Sequence, residues 1–258
     1  MITQYYRPQT LEEALNLISK PNTHPLGGGT VLAQRTNESF SVVDLQALGL
    51  DKLRKSGNTL EIGATTTLQV LKEFEHTHKI LKTAIELEVP LNLRTMGTVA
   101  GTLVTCDGRS TFATVMLALD ARLITAPNPS PLMLGNFLPL RSKDGDERSS
   151  PLQDKLITRI EIPLNVKLTF ESVARTPADK PIICVALAQW PSGRTRLAIG
   201  GYGSAPKLAM DGNDALGIES SARDAFIDAG DEWASGEYRM EMAGILAKRC
   251  QDGINSLV

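Results

Sequence analysis

The sequence predicts an α+β protein: a two-subdomain α/β module followed by a small α+β C-terminal domain. Three observations carry this. Helix-period and strand-like segments alternate up to about Pro163. From Val166 onward strands succeed one another, and two amphipathic helices come last. Pro163 to Lys167 marks the change, which gives divisions at 1–55, 56–165 and 166–258. With 42% hydrophobic and 22% charged residues among 258, the composition is that of a globular protein rather than a disordered or collagen-like one.

Thr10 and Glu13 form a capping box, and Leu11, Ala14, Leu15 and Ile18 share one face, which predicts a helix over 10–18. Three glycines at 27–29 then force a tight turn. Phe40 to Leu45 reads as a buried strand. The turn residues 56–58 precede strand signals at 60–63 and 65–67. Helices are expected at Thr67 to Phe74 and Ile80 to Glu88, the latter stopped by Pro90. The stretch 71–80, with His76 and His78, also looks helical. A second Gly/Thr-rich segment, 93–110, reads as a turn leading into an apolar helix at 111–119 and a strand at 120–126. Residues 127–151 read as loop, with a solvated charge run at 141–150. Strands are expected at 156–163, 168–173, 182–189 and 196–201, then helices at 220–229 and 238–254.

Composition excludes several functions. Twenty-seven basic against 29 acidic residues, with 5% aromatics, offer neither a basic footprint nor a stacking platform for nucleic acid. The most apolar stretch, Ala113 to Leu119, is too short to span a bilayer. The N-terminal residues do not read as a signal peptide. Cys106, Cys184 and Cys250 have no CxxC spacing, and such a sparse odd set fits a reducing cytoplasm. Each reads as a small buried apolar residue, Cys106 drawing notice for its Gly/Thr-rich surroundings. Three histidines without HExxH spacing argue against a metal site. Neither GxSxG nor GxxxxGK[ST] is present, so no catalytic residue is assigned.

The informative feature is a pair of segments, GlyGlyGlyThr at 27–30 and GlyThrValAlaGlyThr at 97–102. Glycine lets successive amides face an anion without an intervening Cβ, and Thr adds a hydroxyl donor. Two such turns could clamp a pyrophosphate. They could equally be tight turns and nothing more. Neither is the GxGxxG of a Rossmann fold.

At these residues the sequence resembles the FAD-binding medium subunit of the molybdenum hydroxylases, the group of xanthine dehydrogenase and aerobic carbon monoxide dehydrogenase. ArgProGlnThrLeuGluGluAlaLeu at 7–15 is similar to the family's opening, and LeuGlyGlyGlyThrValLeu at 26–32 to its first flavin loop. IleGlyAlaThrThrThrLeu at 62–68 matches the strand and turn after that loop, and LeuArgThrMetGlyThrValAlaGlyThrLeu at 93–103 the second loop. LeuAlaLeuAspAla at 117–121 comes at the usual distance. Residues 196–206 and 234–239 look like the family's small C-terminal domain. Order and spacing over the whole chain, not any one motif, make the resemblance specific.

The resemblance implies a two-subdomain FAD-binding α/β module that receives electrons from iron–sulfur clusters and passes them to an external acceptor. Its implied partners are an iron–sulfur small subunit and a molybdopterin large subunit. It implies FAD contacts at Leu26, Gly27, Gly28, Gly29, Thr30 and Val31, and at Thr98, Val99, Gly101 and Thr102, with Arg94 positioning the second loop. Asp107 and Ser110 are implied near the ribityl or ring. The sequence departs from the family at Val31 (usually polar), Thr95 and Thr102 (usually Asn), Ala100 (usually Gly) and Thr111 (usually Asp). Glu171 stands about where a flavin-side Lys is usual. These departures gather at cofactor positions, so the alternative is a degenerate paralogue that keeps the fold as a scaffold or assembly protein without FAD.

Overall fold

A computed structural model of the chain describes residues 1–32, 38–141 and 151–257. In chain order the elements are β1 (Ile2–Tyr6), α1 (Leu11–Ile18), β2 (Thr23–Leu26), β3 (Phe40–Asp44), β4 (Leu53–Ser56) and β5 (Thr59–Gly63). Then come α2 (Leu68–Glu73), α3 (Lys79–Glu88), α4 (Leu91–Arg94), α5 (Val99–Thr105), α6 (Thr111–Ala118), β6 (Arg122–Ala126), β7 (Pro131–Met133) and α7 (Leu134–Leu140). The rest are β8 (Leu156–Pro163), β9 (Lys167–Val173), β10 (Ile183–Gln189), β11 (Thr195–Gly200), β12 (Lys207–Gly212), α8 (Ile218–Asp224) and α9 (Gly236–Ser256). The mixed helix-and-sheet class expected from the sequence is what the chain adopts.

The chain forms two compact units from interleaved segments. The first comprises Met1–Glu75, Pro90–Thr105 and Arg122–Glu161. The second comprises His76–Val89, Cys106–Ala121 and Ile162–Val258.

In the first unit, β1 and β2 flank β3 in a parallel three-stranded sheet. Ala14, Val43, Leu45 and Leu156 form its core beside α1. Thr10 caps α1, its Oγ1 accepting from Glu13 N–H at 3.2 Å, while Glu13 Oε2 reaches one residue before the cap and accepts from Gln9 N–H at 3.1 Å. A second sheet runs β4-β5-β8-β6-β7.

In the second unit, β9 to β12 make an antiparallel sheet in the order β12-β11-β10-β9. Side chains alternate across it. Ile183, Val185 and Leu187 pack on α8 and α9 with Ala243, Leu246 and Ile254. Cys184 points the other way and meets Thr114 of α6, Oγ1 to Sγ 3.5 Å. Both faces of β10 are covered, so nearly every residue of that strand is buried. Every residue of α6 is buried as well, as an all-round apolar helix requires.

Several sequence expectations need correction. Strands β1, β2, β4 and β12 are absent from them, being short or rich in polar residues. Of residues 65–67 only Thr67 extends, in an isolated bridge to Thr98, and 75–78 break the expected continuous helix. His78 instead caps α3, its Nδ1 accepting from Ile80 N–H at 3.2 Å. Part of the expected loop 127–151 is β7 and α7. Most of the charge run, 142–150, lies outside the described residues.

Candidate cofactor site

The first glycine turn leaves the carboxyl end of β2, where Leu45 N–H of the neighbouring strand still donates to Leu26 O at 3.1 Å. The carboxyl edge of a parallel sheet is the usual place for a nucleotide. Gly29 has φ +70°, a left-handed conformation that favours glycine. The other two glycines are required by contact. A Cβ on Gly28 would lie 1.8 Å from Met96 O, and one on Gly27 would lie 2.8 Å from Thr98 Oγ1. The first turn thus lies directly on the second. The amides of Gly27, Gly28, Gly29, Thr30 and Val31 donate to no acceptor among the described residues. Leu26 to Thr30 are half-buried and Val31 is exposed. Five successive donors, partly shielded from water, can bind an anion along their length. Val31 offers its amide whatever its side chain, so the loss of a polar side chain there spares the backbone donors.

The second turn is shorter than the sequence suggests. The chain turns at Thr95 and Met96, Thr98 bridges to Thr67, and Val99 already begins α5. Here the amides are committed. Gly97 N–H donates to Leu93 O at 2.7 Å, Val99 N–H to Thr66 O at 2.8 Å and Ala100 N–H to Ala64 O at 3.2 Å. Gly101 N–H donates to Thr98 Oγ1 at 3.2 Å, and Thr102 donates to Thr98 O from both its N–H and its hydroxyl, each at 2.9 Å. Thr98 is buried, wedged between Gly27 and Gly101, where a Cβ on Gly101 would also lie 2.8 Å from Thr98 Oγ1. Ala100 is helical rather than left-handed, so the methyl that replaces the family's glycine meets no backbone strain. Thr95 Oγ1 donates back to Asn92 O at 3.0 Å, and Arg94 closes α4 half-buried.

The remaining candidates lie in the second unit. Asp107 accepts from Lys180 Nζ and from Arg109 N–H, the latter at 2.9 Å. Ser110 is the N-cap of α6, its Oγ accepting from Ala113 N–H at 3.0 Å and donating to Glu88 at 2.9 Å. Thr111, where the family's Asp is expected, donates to Ala84 O at 2.8 Å and to Glu88 Oε2 at 3.1 Å. Phe112 N–H donates to the same carboxylate at 2.9 Å. Burial raises the Glu88 carboxyl above its ordinary range, against the pull of these donors. Sequence reasoning missed Glu88 because its partners are 22–24 residues away in the chain.

Thr111 and Ser172 line a cavity of about 250 Å³ with Leu87, Arg175, Thr176 and Pro181. Glu171 shares the sheet face of Val185, which packs on α9, whereas Ser172 shares that of Cys184. Glu171 therefore belongs to the face away from the one α6 covers. Burial pushes the thiols of Cys184 and Cys250 up to about 12, so both stay protonated and inert. All three cysteines are buried and outside any disulfide. No cluster of metal-ligating side chains occurs among the described residues. No helix among them is long and apolar enough to cross a membrane.

A row of amides with no acceptor among the described residues, on a glycine turn at the carboxyl edge of a parallel sheet, is an arrangement able to bind a diphosphate. Residues 1–165 match the family described as the FAD binding domain in molybdopterin dehydrogenase, and the chain belongs to it. FAD is the cofactor of that domain, and the chain is an FAD-binding subunit of the molybdenum hydroxylase family. The chain is 26% identical to the uncharacterized protein YgfM of Escherichia coli (strain K12), over 95% of this chain and 94% of that one. It is 28% identical to the glyceraldehyde dehydrogenase medium chain of Sulfolobus acidocaldarius, over 80% of this chain and 78% of that one. Its fold matches a chain of the reconstituted CO dehydrogenase from Oligotropha carboxidovorans with a TM-score of 0.83 at 21% identity, covering 99% of this chain and 98% of that one.

Proposed function

We propose that this chain is the electron-passing flavin subunit of a molybdopterin-dependent dehydrogenase, taking electrons from iron–sulfur clusters and delivering them to an external acceptor. Its partners in this reading are an iron–sulfur small subunit and a molybdopterin large subunit, and its compartment is the cytoplasm. The observation that carries the reading is the set of five amides from Gly27 to Val31 that find no acceptor among the described residues. Leu26 shapes the entry to that turn, and Thr30 adds a hydroxyl. Gly28 and Gly27 allow the approach of the second turn, where Thr98, Val99, Gly101 and Thr102 form the supporting wall. Asp107 and Ser110 order the loop before α6. When bound, FAD supplies the redox chemistry, exchanging electrons singly or in pairs. The chain's own share is to bind the diphosphate, fix its position and exclude water from it. The division at 1–55, 56–165 and 166–258 goes with this reading as the placing of the cofactor module before the C-terminal domain.

The scaffold alternative is not favoured. The departures at Val31 and Ala100 leave the backbone donors of the first turn and the helical geometry of the second intact. The test is an absorbance spectrum of the purified chain before and after FAD is added. The expected result is flavin bands at near one FAD per chain. A colourless chain that takes up none, alone or with its partner subunits, would sink the reading.

A further inference from the structure

The second unit is built from three stretches of chain, and two of them meet around one carboxyl. The chain leaves this unit after Val89, at the end of α3, and returns to it at Cys106, shortly before α6. The return is pinned to the end of β11: Gly108 N–H donates to Gly203 O at 2.9 Å, and Gly201 N–H to Gly108 O at 2.6 Å. Glu88, next to the point of departure, turns its carboxyl onto the start of α6. There Ser110 Oγ lies 2.9 Å from both carboxyl oxygens, Phe112 N 2.9 Å from Oε2 and Thr111 Oγ1 3.1 Å from Oε2. Ser110 and Thr111 are each 1% exposed, so these contacts are sheltered from water.

The hydroxyl protons here do not suffice for an ionised carboxylate. A hydroxyl has one proton to give. Thr111 has two acceptors in reach, and the nearer is Ala84 O of α3 at 2.8 Å. A proton given to that carbonyl leaves Thr111 Oγ1 and Glu88 Oε2 facing each other as two acceptors. A proton on Oε2 removes the conflict: the acid donates to Thr111 Oγ1 and still accepts from Phe112 N–H and Ser110 Oγ.

The charges around Glu88 are few. None of the residues of α6 is charged. On β10 and β9 the face toward α6 carries Cys184 and Ala186 with Ser172 and Phe170, while Glu171 and Lys167 lie on the opposite face. Arg196 of β11 meets α6 at its far end, on Leu117 O. Arg109 is turned to the carbonyls of Lys180 and Pro181. Lys180 is the charge that favours an ionised Glu88, and it is paired with Asp107. Of the charges on α3 itself, Lys79 and Glu86 are exposed and Lys82 lies further back along the helix. Burial outweighs Lys180 and the donors together.

We propose that Glu88 is a proton-operated clasp: as the neutral acid it donates to Thr111 Oγ1 and ties the end of α3 to the start of α6, and when its proton leaves to solvent the tie loosens. The clasp lies wholly within the second unit and operates without the cofactor. The experiment takes the full-length chain without FAD, as wild type, Glu88→Gln and Glu88→Ala, from about pH 5 to about pH 9. Melting midpoints are measured, and amide exchange at 112–114 is read as protection relative to the unfolded chain. Glu88→Gln sets a permanently neutral donor in place of the acid.

The expected wild-type midpoint matches that of the Gln variant at the acid end and falls several degrees below it as pH rises. Protection at 112–114 falls about tenfold against the Gln variant over the same range. Glu88→Ala shows the low protection at every pH. His78, at the other end of α3, is the same in all three chains, so its own titration cancels in the comparison. A Gln variant that melts below wild type by a constant gap would mean that the ionised carboxylate is the holding form, and overturns the proposal. Three chains with the same midpoints and protection overturn it as well. If the variants do not fold, carbon-13 NMR of the glutamate carboxyls in the wild-type chain decides. One carboxyl titrating well above the rest supports the clasp, and all titrating together in the ordinary range overturn it.

Discussion

The two glycine-rich turns of the first unit have almost the same composition and opposite hydrogen bonding. From Gly27 to Val31 five amides find no acceptor among the described residues, whereas Val99, Ala100 and Gly101 each donate to the protein. The difference comes from the neighbouring structure of each turn. Gly97 and Thr98 run straight into α5, whose first amides dock on the carbonyls of Ala64 and Thr66. The first turn leaves a strand end, and its amides meet no carbonyl among the described residues. In the proposed reading one turn binds and the other supports, and only the position of acceptors in three dimensions separates them.

The sharpest way to break this division is at the contact between the turns. Gly28→Val places a side chain where even its Cβ would lie 1.8 Å from Met96 O. FAD retention should fall below detection, read as flavin absorbance per chain. Undiminished flavin would mean that the first turn does not seat the cofactor.

A threonine from each turn sharpens the comparison. Thr98→Val removes the acceptor of Gly101 N–H in a buried place, so denaturant titration should show a loss of about 1–3 kcal/mol in stability. Thr30→Val should leave stability within about 0.5 kcal/mol and weaken FAD by about 0.5–1.5 kcal/mol. An exchange of these two outcomes would reverse the assignment of the turns.

A smaller effect separates the helical reading of Ala100 from the left-handed one. Ala100→Gly should destabilise the chain by about 0.5–1 kcal/mol with no gain in FAD affinity, because the residue lies in α5. A stabilised or tighter-binding variant would mean that the position needs glycine.

The smallest expected effect lies in the second unit. His78 must be neutral at Nδ1 to cap α3, and burial lowers its pKa. Its folded value is below the unfolded one of about 6.5, so its stabilisation is complete above that value and fades as pH falls through it. Glu88 acts oppositely, since its folded pKa is raised: its contribution is present below the ordinary carboxyl value of about 4.3 and fades as pH rises through the folded value. His78→Asn, with a side chain that still caps, should flatten the loss of stability between about pH 7 and 5 by up to roughly 1 kcal/mol. An unchanged slope would remove His78 as its cause.

The sequence made local features legible and left contacts between distant segments hidden. The Thr10 cap of α1, the stop at Pro90 and the apolar run of α6 act within a few residues, and each appears as expected. Strands β1 and β2 escape because IleThrGlnTyrTyr and ThrHisProLeu gain their strand character from pairing with β3. The glycines at 27–29 announced a turn. Their reason, the carbonyl of Met96 and the hydroxyl of Thr98, comes from about 70 residues further along the chain. For the same reason the sequence credited both turns with free amides. The carboxylate gathered by Ser110, Thr111 and Phe112 had no local sign either, since Glu88 arrives on another helix.

The division of labour between the turns is open to direct measurement by amide hydrogen exchange, residue by residue, with and without FAD. The account predicts fast exchange at 27–31 in the free chain and strong protection there once FAD is added, with 99–101 protected in both states. Protection gained at 99–101, or none gained at 27–31 while FAD is bound, would contradict it.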